Sequence, residues 1–143
     1  MSLLDQVQDD VKTALKAGDR ERVHALRLIA DALQKAQKDN GGDPVEVLQR
    51  ERKRRLEAAE AYREGGRTDA AEAEEREAEV IAGYMPKQLS DEELHAIVGD
   101  AVAESGASSP QEMGKVMSLV MPSVKGRADG KRVSAAVKEM LTP

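Results

Sequence analysis

The sequence predicts an all-α protein, with a four-helix N-terminal unit over residues 1–84 and a small three-helix domain over residues 85–143. Three observations predict it. Apolar residues recur at spacings of three and four along nearly the whole chain. No segment alternates apolar and polar side chains as a half-buried strand does. Helix start and stop residues punctuate the pattern at intervals. The aromatic content is two tyrosines, with no Phe or Trp, so the core must be built from Leu, Ile, Val, Met and Ala.

The elements follow in order. A first helix over Ser2–Ala17 opens on Ser2 with Asp5 three residues on, close to a capping box, and Gly18 closes it. Leu4, Val7, Val11 and Leu15 form its apolar stripe. A second helix, Arg20–Lys38, starts from Asp19 as N-cap and buries Val23, Leu26, Ile29, Ala30 and Leu33. The linker Gly18-Asp19 is short enough to force the two helices to be neighbours. Asp39-Asn40-Gly41-Gly42 reads as a loop. The third helix starts on Asp43-Pro44 and stops at Gly65-Gly66, with Val45, Leu48, Leu56, Ala59 and Tyr62 inward. Arg52 and Arg55 interrupt that stripe, in the same helical rows. The fourth helix, Thr68 to about Gly83, is rich in alanine and glutamate, and Pro86 sets a boundary behind it. Ser90-Asp91-Glu92-Glu93 is a capping box opening a fifth helix that Gly106 closes. Ser109 caps a sixth, with Pro110 at its first position and Pro122 as its end. Asp129 caps a seventh, with Val133, Ala136, Val137, Met140 and Leu141 inward.

Composition excludes several chemistries. The 143-residue chain has no cysteine, hence no disulfide, thiolate metal site or Cys nucleophile. No apolar run approaches the ~20 residues that span a bilayer, and the acidic N-terminus lacks the features of a secretory signal, so the expected location is cytoplasmic and no membrane partner is expected. His24 and His95 lie far apart and form no metal pair, and no Ser-His-Asp arrangement emerges. The net charge of −5 is unevenly divided. Residues 90–112 carry six acids and no Lys or Arg, while residues 113–143 carry six Lys or Arg against two acids, a net of +4. Arg50, Arg52, Lys53, Arg54 and Arg55 form a further basic run, best read as pairing with Glu51 and with the glutamates of the fourth helix.

Two stretches carry a resemblance. Tyr84–Leu94, YMPKQLSDEEL, and Gly106–Leu141, containing MGKVMSLVMPSVKGRADGK, closely resemble the GatB/YqeY family. The pattern R-x-x-x-L-R-x-x-x-x-A-L at Arg22–Leu33 is similar to the N-terminal half of its stand-alone YqeY-like members. The resemblance implies an all-α protein whose C-terminal part is like the tail of GatB. GatB is a subunit of the glutamine-dependent amidotransferase, a carbon–nitrogen ligase, that amidates mischarged Glu-tRNA(Gln) or Asp-tRNA(Asn). There the tail is a tRNA-binding appendage, and the catalytic cradle of GatB has no counterpart here.

The candidate site is the basic, glycine-bearing stretch Met113–Lys131. Lys115, Lys125, Arg127 and Lys131 would contact phosphates, with Gly114 allowing close approach. Residue types alone favour a packing glycine at Gly114, a left-handed turn at Gly126 and solvated basic side chains. The resemblance is what points them at tRNA. Gly-Arg-Ala-Asp-Gly-Lys lacks the G-x-x-x-x-G-K-[ST] frame and follows no strand, so it is not a P-loop. Met113 and Met117 belong to the core. No catalytic, cofactor or metal residue stands out. The reading is a non-catalytic, tRNA-associated accessory module with partners among tRNA or the tRNA-charging apparatus. The alternatives are a protein-interaction adaptor, docking through the acidic fifth helix or the third and fourth helices, and an enzyme of the amidotransferase class.

Overall fold

The computed structural model describes residues 1–39 and 42–143. Of the expected loop at 39–42, Asn40 and Gly41 lie outside the described residues. Among the described residues the regular structure is helical throughout, with no strand. The helices are α1 (Leu3–Ala17), α2 (Arg20–Lys38), α3 (Pro44–Glu64), α4 (Thr68–Ala82), α5 (Asp91–Ser105), α6 (Met113–Val124) and α7 (Gly130–Leu141), with a 3-10 turn at Pro110–Glu112. They fall into two compact units, Met1–Met85 and Pro86–Pro143.

The helix ends form where local chemistry directs them. Ser2 and Asp5 complete a reciprocal capping box, and Gly18 ends α1 in the left-handed region at φ 73°. Asp19 caps α2 by accepting the Arg22 N–H, and Asp43 caps α3 by accepting the Val45 N–H. In the N-terminal unit α1 packs along α2 and α3 along α4, while α2 also touches both α3 and α4. Val7, Leu26, Ile29, Leu48 and Ile81 form the centre of its core. Each such side chain contributes roughly 1.5–3 kcal/mol by leaving water.

Two expected stripes are displaced by one position. Leu15 is 52% exposed and Leu56 is 37% exposed, whereas Ala14 is buried and Arg55 half-buried. The reason is geometric. A run of four-residue steps drifts about 40° per step around a 3.6-residue helix, so the stripe must take a three-residue step to stay inward. Ala14 occupies the inward position in α1, and Arg55 occupies it in α3. In α3 the inward row therefore runs from Leu48 through Arg52 and Arg55 to Ala59, and Leu56 is left at its edge.

The C-terminal unit is a three-helix arrangement in which α5, α6 and α7 all touch one another. Its core is dominated by valine: Val98, Val116, Val120, Val124, Val133 and Val137 are fully buried. Met113 and Met117 pack against it. Two expectations are corrected here. Pro122 does not end α6, which continues to Val124. The missing Pro122 N–H leaves the Ser118 carbonyl without its helical donor. Ser118 and Pro122 are both exposed, so that carbonyl is not sealed away from solvent, while burial of Val120 and Val124 carries the helix on. Ser109 does not cap α6 either, because Pro110–Glu112 is a 3-10 turn and Ser109 makes no side-chain cap bond. The Glu112 carboxylate instead turns back and accepts the Ser108 N–H at 3.1 Å.

These burial assignments separate two leucines of one chain. Leu26→Ala is expected to lower unfolding free energy by about 3 kcal/mol, and Leu15→Ala to change it by less than about 0.5 kcal/mol. Urea unfolding followed by helical circular dichroism measures both, and comparable losses would contradict the packing described.

Candidate nucleic-acid interface

The candidate residues Lys125, Arg127 and Lys131 surround a tight turn between α6 and α7. Lys125 has φ −52° and ψ 123°, and Gly126 has φ +77°. Together with the Arg127 N–H bonded to the Val124 carbonyl at 2.8 Å, these angles define a type II β-turn, whose third position requires positive φ. Glycine is demanded at 126 for that reason. Asp129 then caps α7 by accepting the Arg132 N–H at 2.8 Å.

The turn is clamped to the segment that opens the unit. The Leu89 N–H donates to the Arg127 carbonyl at 2.8 Å, and the Gln88 side-chain amide donates to the Gly126 carbonyl at 2.7 Å. Arg132 reaches back to the Leu89 carbonyl at 2.9 Å and to the Asp91 carboxylate at 2.8 Å. The two halves of the recognisable C-terminal motif, PKQLSDEE and KGRADGKR, are therefore one structural knot. Arg132 and Gln88 escaped the sequence reading. The one signal for Arg132 is its place three residues after a helix cap, where a long side chain folds back over the helix start.

The same knot gathers charge of both signs. At the start of α5, Glu93 accepts the Ser90 backbone N–H, completing a capping box with the Ser90 hydroxyl. That hydrogen bonding holds the Glu93 carboxyl below its ordinary range, slightly offset by burial and assisted by the charges of Lys87 and Arg127. Arg127 and Arg132 thus face Glu93 and Asp91, and Lys87 joins them from the other side of the knot. Counted over residues 86–143, seven Lys or Arg stand against eight acids, a net of −1, so the +4 of the final segment is balanced within its own unit. Lys125 and Lys131 are exposed and Arg127 is half-buried.

Lys115 and Gly114 are not part of this cluster. Both lie exposed in the first turn of α6, and ten residues of helical rise place Lys115 about 15 Å from Lys125. Nothing lies within 4 Å of a side chain added at Gly114, so that glycine is not required by packing inside the unit.

In the N-terminal unit the basic run is largely absorbed by pairing. Arg55 bonds Glu51 and Glu77, Arg54 reaches Glu51 and Lys53 reaches Glu57. Arg52 differs: its Nε is buried without a hydrogen-bond partner. Tyr84, the first residue of the C-terminal motif, donates its hydroxyl to Asp10 of α1. Burial pushes the Tyr84 phenol well above its usual range, the Asp10 bond adds to this, and Arg22 opposes it. His24 is exposed, with Nε2 3.7 Å from Glu77. Among the described residues no group of three or more His, Asp or Glu is placed to hold a metal ion.

A helical chain with this knot belongs to a known class. The Yqey-like protein family matches residues 4–141, and the chain belongs to that family. It is also similar to a fungal protein of Pyrenophora tritici-repentis, named altered inheritance of mitochondria protein 41, mitochondrial. The two are 26% identical over 149 residues, covering 97% of this chain and 81% of the relative. Among the described residues no helix is long and apolar enough to cross a membrane.

Two outcomes test the knot. Gly126→Ala should cost about 1–2 kcal/mol because it forces positive φ on a side chain, whereas Gly130→Ala, in the first turn of α7 with open space around it, should be neutral or stabilising by up to ~1 kcal/mol. Equal effects in thermal unfolding would contradict the turn assignment. The lowered Glu93 pKa carries a definite sign: its contribution is present above the ordinary 4.5 and is lost as pH falls through the lower folded value. The stability difference between the natural chain and Glu93→Gln should therefore be larger at about pH 7 than at about pH 3, and a difference independent of pH would contradict it.

Proposed function

We infer that this protein is a non-catalytic, cytoplasmic accessory module that associates with tRNA, with Lys125, Arg127 and Lys131 facing backbone phosphates. The observation that carries the reading is the clamped type II turn, which holds two cations on either side of a positive-φ glycine and a third in the first turn of α7. Lys and Arg displace condensed counterions when they meet phosphates, and a rigid turn presents them at little cost in ordering. The resemblance of this segment to a tRNA-binding tail supplies the class of nucleic acid. The net charge of −5 removes long-range attraction for polyanions, so binding of this kind rests on shape and on local contacts. The absence of Phe and Trp from the chain favours a folded RNA over stacked single-stranded bases.

Filter binding with total tRNA across a salt series tests the reading. Replacing Lys125, Arg127 and Lys131 together by Ala should reduce the slope of log affinity against log salt by about one for each lost phosphate contact. Lys115→Ala, about 15 Å away along α6, should leave the slope unchanged. A triple variant with normal helicity and an unaltered slope would remove tRNA from these residues.

A further inference from the structure

The knot has a second strand that the α6–α7 turn does not supply. Pro86, Lys87 and Gln88 lead into the α5 cap, and Gln88 fixes them in place. Its side-chain amide donates to the Pro86 carbonyl at 3.1 Å and to the Gly126 carbonyl at 2.7 Å. Pro86 removes further freedom by locking its own φ. The Leu89 N–H bond to the Arg127 carbonyl closes the other side. Two residues of chain and that 2.8 Å bond put the Lys87 Cα within about 9 Å of the Arg127 carbonyl. Lys87 itself is exposed, whereas Gln88 is half-buried and Leu89 buried. Its ammonium therefore stands on a backbone that need not be ordered on binding.

Charge singles out the same residue. Within the knot Lys125, Arg127, Lys131 and Arg132 stand against Asp91, Glu92, Glu93 and Asp129, four cations against four acids. Lys87 is the fifth cation and gives the knot a net of +1. The acid it faces is Glu93, whose carboxyl also feels Arg127 and accepts the Ser90 N–H. One carboxylate between two cations leaves that corner positive. Arg132, by contrast, is matched by Asp91.

The remaining cations of this unit are placed differently. Lys115 lies about 15 Å from Lys125 along α6. Lys138 stands in the last turn of α7, about 10 Å of helical rise beyond Lys131, where the macrodipole favours a cation without any ligand.

We propose that Lys87 is a phosphate contact of the same surface as Lys125, Arg127 and Lys131, so that both strands of the knot make the tRNA-facing surface. The proposal rests on the tRNA reading and deepens it. The bonds from Gln88 and Leu89 hold the two strands together, and cations distant in sequence meet one stretch of backbone.

Filter binding of total tRNA by the full chain across a salt series tests it. Lys87→Ala should reduce the slope of log affinity against log salt by about one, and lower affinity about fivefold to tenfold at ~0.1 M salt. Added to the triple alanine variant of Lys125, Arg127 and Lys131, it should take the slope down by about one more. Lys87→Gln, which keeps most of the stem and removes the charge, should match Lys87→Ala, while Lys87→Arg and Lys138→Ala should keep the natural slope. A loss confined to Lys87→Ala overturns the proposal, because it follows the stem and not the charge. Equal losses for Lys87→Ala and Lys138→Ala also overturn it, because they report net charge and not a contact. A natural slope for Lys87→Ala beside a reduced slope for the triple variant overturns it and leaves the tRNA reading standing. Natural slopes for both variants overturn the two together.

Discussion

The C-terminal unit depends on one short-range bond between distant residues, the Leu89 N–H to the Arg127 carbonyl. It ties the residue before the α5 cap to the last corner of a type II turn, and Arg132 doubles the connection by reaching the Leu89 carbonyl. Because Ser90 and Asp129 cap α5 and α7 within a few residues of this bond, it brings two helix N-termini side by side. Two positive macrodipole ends placed together repel. Asp91, Glu92 and Glu93 in the first turn of α5, and the carboxylate of Asp129 at the α7 cap, offset that repulsion. The acidic start of α5 is therefore a structural requirement of the knot.

The knot also explains how a segment with net +4 sits within a nearly neutral unit. Arg127 and Arg132 answer the acids that the paired helix ends require. The Arg132 charge is committed to the Asp91 carboxylate and the Leu89 carbonyl. Within α6, Val116, Val120 and Val124 are buried at strict four-residue spacing, and Leu119 and Met121 lie at the two edges of that buried row.

Much of the local structure was legible in the residues, because helix ends are decided by groups three or four positions apart. The Ser2/Asp5 and Ser90/Glu93 boxes, the Asp19, Asp43 and Asp129 caps and the Gly18 and Gly106 terminators all act within one turn of chain. Where local signals compete with burial, the residues mislead. Pro122 suggests an end to α6, yet Val124 is buried and extends it. Ser109-Pro110 suggests a capped start, yet the chain forms a 3-10 turn there. Leu15 and Leu56 look like core by type, while Ala14 and Arg55 take the inward places by angle.

The candidate site divides along the same line. By itself the sequence determined the all-helical class, the family signature and the exclusion of thiol chemistry, because composition, periodicity and short motifs are properties of a chain within a few residues. Only the tertiary structure decided which cations are occupied. Arg132 meets Asp91 across 41 positions of sequence, Gln88 meets Gly126 across 38, and Tyr84 meets Asp10 across 74. No periodicity records such pairings. They exist because burying the valine and leucine faces brings those helix ends together, and the polar groups carried there must then satisfy one another.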